Sequence, residues 1–296
     1  MKICAVVVAF DPDQAFSERL GEIGRQADGV VVIDNSPSAE GQDRVTAAVS
    51  RCSCSLIGNA SNEGLGKALN QGIEWAKANS YSHVLLFDQD STPHKDMVPV
   101  LRRIWPQMRN DAAILGSNFL ERRSQRQWLT SSCAGPDRWQ PVPSLTTSGM
   151  LLPLATVETL GLFCESLFVD LVDMEYSLRA RARSIRFGAT CQIIMTHEVG
   201  AMKRASILGR VVWPSHHSTQ RRYFMARNTV VLLKQYGLSD PRWAVSAVLS
   251  LVKSLILVSL FERDRPQKFR ATITGLVDGV HLNPRDDTAA CLHLDQ

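Results

Sequence analysis

The sequence predicts an α/β fold, in which a mixed, mostly parallel sheet is flanked by helices and followed by a helical extension. Apolar runs of strand length alternate with helical patterns along the first third of the chain. Strands that alternate with helices pair in parallel, because each helix returns the chain to the edge where the previous strand began. The predicted strands are residues 3 to 9, 30 to 34 and 83 to 88, and the predicted helices are residues 14 to 26 and 65 to 78.

The remaining elements follow from weaker patterns. Short apolar runs predict two further strands, and an Arg-rich, Pro-containing stretch predicts loops that face a substrate. The strands are predicted near 55 to 58 and 112 to 117, the loops, together with short strands, from about 120 to 150, a helix at 168 to 183, a strand at 191 to 196 and a helix at 219 to 236.

Composition limits the function classes. The chain has 296 residues, and its net charge of +4 is too small to indicate a nucleic-acid partner but suits a diphosphate or an anionic membrane surface. Seven cysteines, an odd number without zinc-finger spacing, predict neither a disulfide framework nor a cysteine metal site, so we expect a reduced, cytosolic protein. The apolar start, Met1 to Val8, predicts a first strand rather than a signal peptide.

An apolar segment near the C-terminus runs from Trp243 to Phe261 and is interrupted by serines and Lys253. Its length could barely span a bilayer, and a central lysine is costly in hydrocarbon. Basic residues flank the segment at both ends: Arg242, Arg263, Arg265 and Lys268. We therefore expect a helix that packs on the core or lies in a membrane interface.

The most informative motif is Asp88-Gln89-Asp90-Ser91, which directly follows the apolar run Val84 to Phe87. Ligands of open α/β sheets collect at the carboxyl ends of strands, where carboxylates hold Mg²⁺ or Mn²⁺ beside a substrate phosphate. An ordinary helix start is the alternative, with Ser91 or Thr92 as N-cap and Pro93 in the first turn. The motif alone does not separate the two.

A second group of carboxylates opens the helix predicted at 168 to 183. Asp170 is expected to be its N-cap, Glu175 to pair with Arg179, and Asp173 to lie in the first turn. A helix N-terminus is also a rigid mount for a general base, which makes Asp173 a catalytic candidate.

Two imidazoles and two guanidiniums cluster at the start of the helix predicted at 219 to 236, with Ser218 as N-cap. These cations oppose the positive end of the helix dipole unless an anion is bound there. A diphosphate would satisfy the dipole and the guanidiniums together. The residues are His216, His217, Arg221 and Arg222, and His197, at the end of the preceding strand, is a further possible ligand.

The stretch Asn62 to Gly72 opens with Gly64-Leu65-Gly66, as a dinucleotide fingerprint does. Leu69 stands where the third small residue belongs, and the stretch does not follow the first strand. A nicotinamide enzyme is therefore disfavoured.

Taken in order, these segments resemble the family 2 inverting nucleotide-sugar glycosyltransferases, and most closely the bacterial rhamnosyltransferases among them. The resemblance covers most of the chain. The matching segments are Val8 to Asp13, Val32 to Ser36, Asn62 to Gly72, Asp88 to Ser91, Ser148-Gly149, Gly161 with Glu165, Phe168 to Arg181, and Arg221 to Tyr223 with Arg227-Asn228.

The resemblance implies a GT-A architecture and a role for each matching residue. Asp90 and Asp88 would hold Mg²⁺ or Mn²⁺ on the donor diphosphate, His197 would join them, and Asp173 would be the base. The donor-binding residues would be Phe10, Asp11, Asp34, Asn62, Gly66, Asp88, Arg221 and Arg222. The GT-A domain would span residues 1–236, with a nucleotide half at about 1–118 and an acceptor half at about 119–236, and the helical extension 237–296.

The resemblance also implies a substrate pair. The donor would be dTDP-rhamnose and the acceptor a lipid-linked saccharide of a bacterial surface polysaccharide at the inner face of the cell membrane, with no nucleic-acid partner. Two other functions are considered: a nucleotide-sugar-binding protein without catalysis, and a sugar-phosphate nucleotidyltransferase. The second is disfavoured because no Gly-rich loop follows the first strand.

Overall fold

The computed structural model describes residues 1–108, 113–129, 133, 135–198, 205–207 and 210–282. The chain forms two compact units. Unit 1 comprises Met1–Glu165 and Val172–Glu198, and unit 2 comprises Ser166–Leu171 and Val199–Gln296.

The strands are short apolar runs. They are β1 (Ile3–Ala9), β2 (Gly29–Asp34), β3 (Ser55–Gly58), β4 (His83–Asp88), β5 (Thr92–Pro93), β6 (Ile114–Glu121), β7 (Trp139–Pro141), β8 (Leu151–Pro153), β9 (Phe187–His197), β10 (Ala205–Ile207) and β11 (Arg210–Val212).

The helices alternate with these strands in unit 1 and dominate unit 2. They are α1 (Phe16–Gly24), α2 (Ala39–Cys52), α3 (Leu65–Ala78), α4 (Met97–Ile104), α5 (Leu154–Leu160), α6 (Val172–Ala182), α7 (Thr219–Tyr236), α8 (Pro241–Phe261) and α9 (Arg265–His281).

The sheet of unit 1 is mixed and mostly parallel, as predicted. Its order is β3-β2-β1-β4-β8-β6-β9-β5, with β7 paired to β9. β1, β2, β3 and β4 pair in parallel, and β8 is antiparallel to both β4 and β6. Because β9 is parallel to β6, the strands β1, β2, β4, β6 and β9 all end at one edge of the sheet.

The core of unit 1 explains why these runs are strands. Every residue of β1 is buried, and the side chains on one of its faces pack with those of β4, α1 and α4 in one apolar cluster. A strand covered on both faces needs a continuous apolar run, which is why β1 and β4 were detectable without alternation.

Helix α3 approaches its neighbours closely because two of its positions lack a side chain. A Cβ at Gly72 would lie 2.2 Å from a methyl carbon of Val6, and one at Gly66 would lie 2.7 Å from the backbone oxygen of Cys164. Asn70 then bonds the backbone of Phe163 through both its amide nitrogen and its oxygen, each at 2.9 Å. The glycine motif therefore packs α3 between β1 and the loop before α6.

Three local expectations were wrong. Pro93 does not begin a helix, because Thr92 and Pro93 pair with Thr196 and Met195 as β5, and the next helix begins at Met97. The helix expected from 168 begins at Val172, since Phe168, Asp170 and Leu171 have positive φ angles near 62°. Asp170 is consequently not an N-cap.

The expectation of a protein without disulfides was also wrong. Cys133 is bonded to Cys191, 58 residues away, with a Cα–Cα distance of 5.7 Å. The backbone N–H of Cys191 donates to the oxygen of Arg138, so the chain before β7 returns alongside β9. The spacing of the cysteines in the sequence does not indicate that these two segments lie side by side.

Unit 2 is built on the close packing of α7 against α9. A Cβ at Gly275 would lie 2.3 Å from the backbone oxygen of Tyr223, and one at Gly279 would lie 2.6 Å from that of Arg227. Lys234 Nζ donates to the carbonyl oxygens of Val280 and Leu282, which closes the C-terminal end of α9. Helix α7 therefore packs closely with α9. The domain boundary expected at residue 236 stays a prediction.

We predict that Gly66→Ala lowers the free energy of unfolding by about 1–3 kcal/mol, because the new methyl group meets a backbone oxygen that cannot move aside. Urea denaturation measures this. Gly58→Ala is the matched control, since a Cβ there meets nothing within 4 Å. Equal unfolding free energies for the two variants would refute the packing role.

Candidate active site

The candidate site lies at the edge of unit 1 where the parallel strands end. Asp34, Asp88 and His197 are the last residues of β2, β4 and β9, and Phe10 directly follows β1. This edge is where ligands of α/β sheets bind. Phe10 is 46% exposed, which is unusual for a phenylalanine and leaves its ring available to a planar partner.

Asp88, Asp90 and His197 form a group whose ligand atoms lie within 4.8 Å of one another. His197 Nε2 is 4.0 Å from Asp88 Oδ2, and Nδ1 is 3.3 Å from Asp90 Oδ1. Asp90 Oδ1 is buried and accepts no hydrogen bond of good geometry among the described residues. Two carboxylates and an imidazole are a donor set that Mn²⁺ or Mg²⁺ accepts, so the residues fit the expected ion.

A chain of hydroxyl groups orients the His197 ring. Nδ1 lies 2.8 Å from Ser91 Oγ, which lies 2.6 Å from Ser148 Oγ. Ser148 Oγ accepts the Asp88 N–H at 3.3 Å and donates to Met195 Sδ at 3.9 Å. One proton order satisfies every member: Nδ1–H donates to Ser91, and Ser91 donates to Ser148. That order leaves the Nε2 lone pair facing Asp88.

The charge state of His197 is set by opposing effects. Burial disfavours the imidazolium, but the Asp90 carboxylate 3.3 Å away and the charges of Asp88 and Glu121 outweigh burial and raise the pKa of His197. The carboxylates around His197 therefore favour its protonated form despite its burial.

Two residues that sequence reasoning missed hold the Asp88–Asp90 loop. The Gln89 carbonyl accepts from Arg19 Nε at 2.7 Å, and its side-chain oxygen accepts from the Phe10 N–H at 2.6 Å. Arg19 is buried and also pairs with Asp13. The Asp-x-Asp pattern did not indicate these two contacts of Gln89, because Phe10 and Arg19 are about 70 to 80 residues away in the sequence.

The predicted nucleotide-side residues Asp11 and Asp34 are used locally. Asp11 Oδ1 accepts from Ser38 Oγ at 2.6 Å, and Asp34 Oδ1 accepts from the Ser36 N–H at 2.9 Å. Both bonds fix the loop between β2 and α2. The second carboxylate oxygen of each residue is the one that a ligand could use.

Asn62 and Gly66 lie at the start of α3. Asn62 Oδ1 accepts from the Gly64 N–H at 3.0 Å, an Asx turn that sets the entry of the helix. Gly66 faces the Cys164 carbonyl, as described above. Direct donor contacts by these two residues stay predictions.

Asp173 lies in the first turn of α6, as expected, and is half-buried. Its Oδ1 accepts from the Met174 N–H at 2.8 Å. The expected pair of Glu175 and Arg179 is confirmed and is buried, with Arg179 also donating to the carbonyl oxygens of Leu160 and Leu162. This pair anchors the helix that carries Asp173.

In unit 2, Arg221 forms a bidentate pair with Asp170. Its Nη2 and Nε lie 2.5 and 3.2 Å from the two carboxylate oxygens. Asp170 belongs to the left-handed turn at 168–171, and Asn228 Nδ2 donates to the oxygens of Leu167, Val169 and Asp170 at 2.8–2.9 Å. Positive φ at non-glycine residues costs free energy, which these bonds offset.

Arg222 is not an open diphosphate ligand, contrary to the expectation. Its side chain is 4% exposed and donates to Glu262 Oε1 at 2.7 Å and to Ser215 Oγ at 2.9 Å. Lys268 Nζ donates to the other oxygen of Glu262 at 2.8 Å. The sequence could not reveal this, because Glu262 is 40 residues away and lies between two helices.

His217 is also not the expected cation. Burial and the positive charge of Arg221 lower the pKa of His217 to about 4, so the ring is neutral near pH 7. Arg221, half-exposed, is the cation of this cluster that a ligand could reach.

Comparison with known proteins gives the family. Residues 13–159 match the family model for glycosyl transferase family 2. The chain is 26% identical over 291 residues to dTDP-rhamnosyl transferase RfbF of Shigella flexneri, a match covering 94% of this chain and 95% of that protein. The chain belongs to glycosyl transferase family 2.

Solved structures support the GT-A fold of this glycosyltransferase. S. aureus TarS matches with a TM-score of 0.56 at 16% identity, covering 95% of this chain and 49% of TarS, so the chain spans about half the length of that protein. The mannosyltransferase PcManGT from Pyrobaculum calidifontis, in complex with GDP-Man and Mn²⁺, matches with a TM-score of 0.54 at 14% identity over 97% of this chain and 88% of that one. Neither the non-catalytic nor the nucleotidyltransferase alternative is favoured by these matches.

We predict that Ser91→Ala in this glycosyltransferase weakens Mn²⁺ binding roughly 10- to 100-fold, because the His197 ring loses the hydroxyl that fixes its orientation. Electron paramagnetic resonance of free Mn²⁺ measures the affinity. Ser117→Ala removes an equally buried hydroxyl, bonded to the Gly149 oxygen, and should leave the affinity unchanged. Unchanged affinity in Ser91→Ala would disprove the orienting role.

We predict that Glu262→Gln lowers the free energy of unfolding by about 3–5 kcal/mol, because Arg222 and Lys268 are left as buried cations without a counter-charge. Denaturation in guanidinium chloride measures it. Asp264→Asn, an exposed neighbour, is the control and should change little.

The same carboxylate predicts a pH dependence. Burial raises the pKa of Glu262, but the Lys268 hydrogen bond and the charges of Arg222 and Lys268 outweigh it and hold the pKa below its usual value of 4.5. The stabilisation is therefore complete above that value and is lost as the pH falls through the lower, folded-state pKa. An acid-induced loss of stability as large in Glu262→Gln as in the wild type would contradict this.

Proposed function

We propose that this family 2 glycosyltransferase moves rhamnose from dTDP-rhamnose to a saccharide acceptor with inversion at the anomeric carbon. The observation that carries the transferase chemistry is the Asp88–Asp90–His197 group at the strand ends. The choice of rhamnose rests on the match to RfbF, which covers nearly the whole of both chains. Fold alone would not select a sugar.

Asp88, Asp90 and His197 are proposed to hold Mg²⁺ or Mn²⁺ against the donor diphosphate. A divalent ion there would neutralise the charge that develops on the departing nucleoside diphosphate. The exposed ring of Phe10 and the free oxygen of Asp34 are proposed to contact the nucleoside, and Arg221 the anionic part of a substrate.

Asp173 is proposed to be the general base. It accepts the proton of the acceptor hydroxyl while that oxygen attacks the anomeric carbon, and the bond from this carbon to the diphosphate oxygen breaks on the opposite face. One displacement inverts the configuration. Connectivity supports the assignment, because only four residues separate the end of α6 from the start of β9. Such a helix runs antiparallel to the strand that follows, so its first turn is expected near the edge where β9 ends.

Arg222 is proposed to act indirectly. Bonded to Glu262 and Ser215, it fixes the segment that carries His217 and the N-terminus of α7, and so positions Arg221. This role replaces the direct diphosphate contact that the sequence suggested.

The acceptor is proposed to be a saccharide on a lipid carrier, and the place of action the inner face of the cell membrane. Support comes from α8, the one described helix long and apolar enough to cross a membrane. We expect that the proposed metal-dependent transfer and the proposed membrane location can be tested separately, because Asp88, Asp90 and His197 lie in unit 1 and α8 lies in unit 2.

We predict that Asp173→Asn reduces transfer at least roughly a thousandfold while donor binding persists, because the amide cannot take a proton. Transfer is measured with radiolabelled dTDP-rhamnose, and donor binding by thermal shift with Mn²⁺. Asp90→Ala is the matched comparison and should lose the Mn²⁺-dependent thermal shift as well as transfer. Near-normal turnover in Asp173→Asn would remove Asp173 from this role.

A further inference from the structure

Helix α8 is almost uncovered in unit 2. Its 18-residue apolar window has a mean hydropathy of 2.2, yet only 6% of that window is buried. Among the described residues of α8, Val258 alone is buried. A core helix of a water-soluble protein would be mostly covered, so α8 has an apolar surface that unit 2 does not use.

The exposed side chains form one stripe. At 100° per residue, the large apolar side chains fall within an arc of about 120°. They are Val245, Val248, Leu249, Val252, Ile256 and Leu260, each 45–63% exposed. On the other side, Ser254 accepts a hydrogen bond from Arg222, so the stripe faces away from the packed interior of unit 2.

The exposed charges around the stripe are mostly positive. Within the described residues 241–282, the exposed charged side chains are Arg242, Lys253, Arg263, Arg265, Arg270 and a single acid, Asp264. Lys253 lies at the border of the stripe by helical spacing, where a long side chain can extend past an apolar surface to a polar layer. An anionic, apolar layer is complementary to this pattern.

We propose that α8 lies in the interface of an anionic lipid bilayer, with its apolar stripe among the acyl chains and its basic residues at the headgroups. The proposal rests on the proposed function only for its purpose, which is to bring the enzyme to a lipid-linked acceptor. Apolar burial and attraction to anionic lipid together provide the binding free energy.

A second copy of this chain fits the surface less well. In an antiparallel helix pair, Arg242 of one copy would lie near Arg263, Asp264 and Arg265 of the other, where the net charge is positive, and in a parallel pair Lys253 would meet Lys253. Both arrangements bring like charges together, which opposes association. A transmembrane position is disfavoured because Lys253 and the serines at 246, 250 and 254 would lie in hydrocarbon.

The test uses the full chain and sedimentation with vesicles of phosphatidylcholine alone or mixed with phosphatidylglycerol. We expect binding to the anionic vesicles only, reduced by salt and reversed by alkaline carbonate. Leu249→Gln with Ile256→Gln should weaken it at least roughly tenfold, because two aliphatic groups no longer leave water. Glutamine keeps helix propensity.

Ile273→Gln with Val277→Gln on α9 is the matched control, with side chains exposed by 60% and 51%, and should bind normally. Vesicle binding that is independent of anionic lipid, that resists carbonate, or that survives the α8 substitutions would overturn the proposal. So would a stable dimer that dissociates in the α8 variant.

Donor binding with Mn²⁺ is measured in the same variants. The α8 double variant should keep its thermal shift, so a failure of the membrane proposal is distinguishable from a failure of the proposed chemistry.

Discussion

Everything in unit 1 depends on keeping two carboxylates close together beside a buried imidazole. Asp88 and Asp90 repel one another, and burying His197 costs solvation free energy. The sheet enforces the arrangement, because β4 and β9 end at the same edge and β5 pairs with β9 to bring Ser91 beside the ring. A cation at this point relieves the repulsion, so the fold stores an unfavourable arrangement that ligand binding resolves.

In unit 2, by contrast, the buried charged groups have opposite signs and attract one another. Arg222 and Lys268 converge on the buried Glu262, and the three groups satisfy one another with few bonds left over. A buried charge network contributes less to stability than its Coulomb energy suggests, yet it permits only one arrangement of the helices it joins. The strained turn at 168–171, held by Asn228, depends on the same helix α7.

Much of the fold was predictable because its central strands β1 and β4 are covered on both faces. β1, β3, β4 and α3 begin and end where the apolar runs predicted, and Ser218 caps α7 as expected. Helices α2 and α5 were not predicted, since their polar faces dilute the apolar pattern, and α9 was predicted only as part of a helical extension over 237–296. The Asp88–Asp90–His197 group was predictable because parallel strands of an α/β sheet bring the residues at their carboxyl ends together at one edge.

The sequence could not reveal contacts between side chains that are far apart along the chain and meet only in the folded protein. Glu262 as the partner of Arg222, Cys133 as the partner of Cys191, and Ser148 in the hydroxyl chain all lie 40 or more residues from the groups they bind. The sequence analysis assigned a diphosphate ligand to Arg222 because this cation lies at a helix start and has no counter-charge nearby in the sequence.

The position of Gln89 has a consequence for changing the specificity of this enzyme. Its side chain accepts the Phe10 N–H and its carbonyl accepts from Arg19, so the turn after the first strand and the turn after the fourth are fastened to one residue. A substitution that moves the turn at Phe10 is therefore expected to move the turn of Asp88 and Asp90 as well. A design that replaces the turn after β1 should therefore replace the turn after β4 as well.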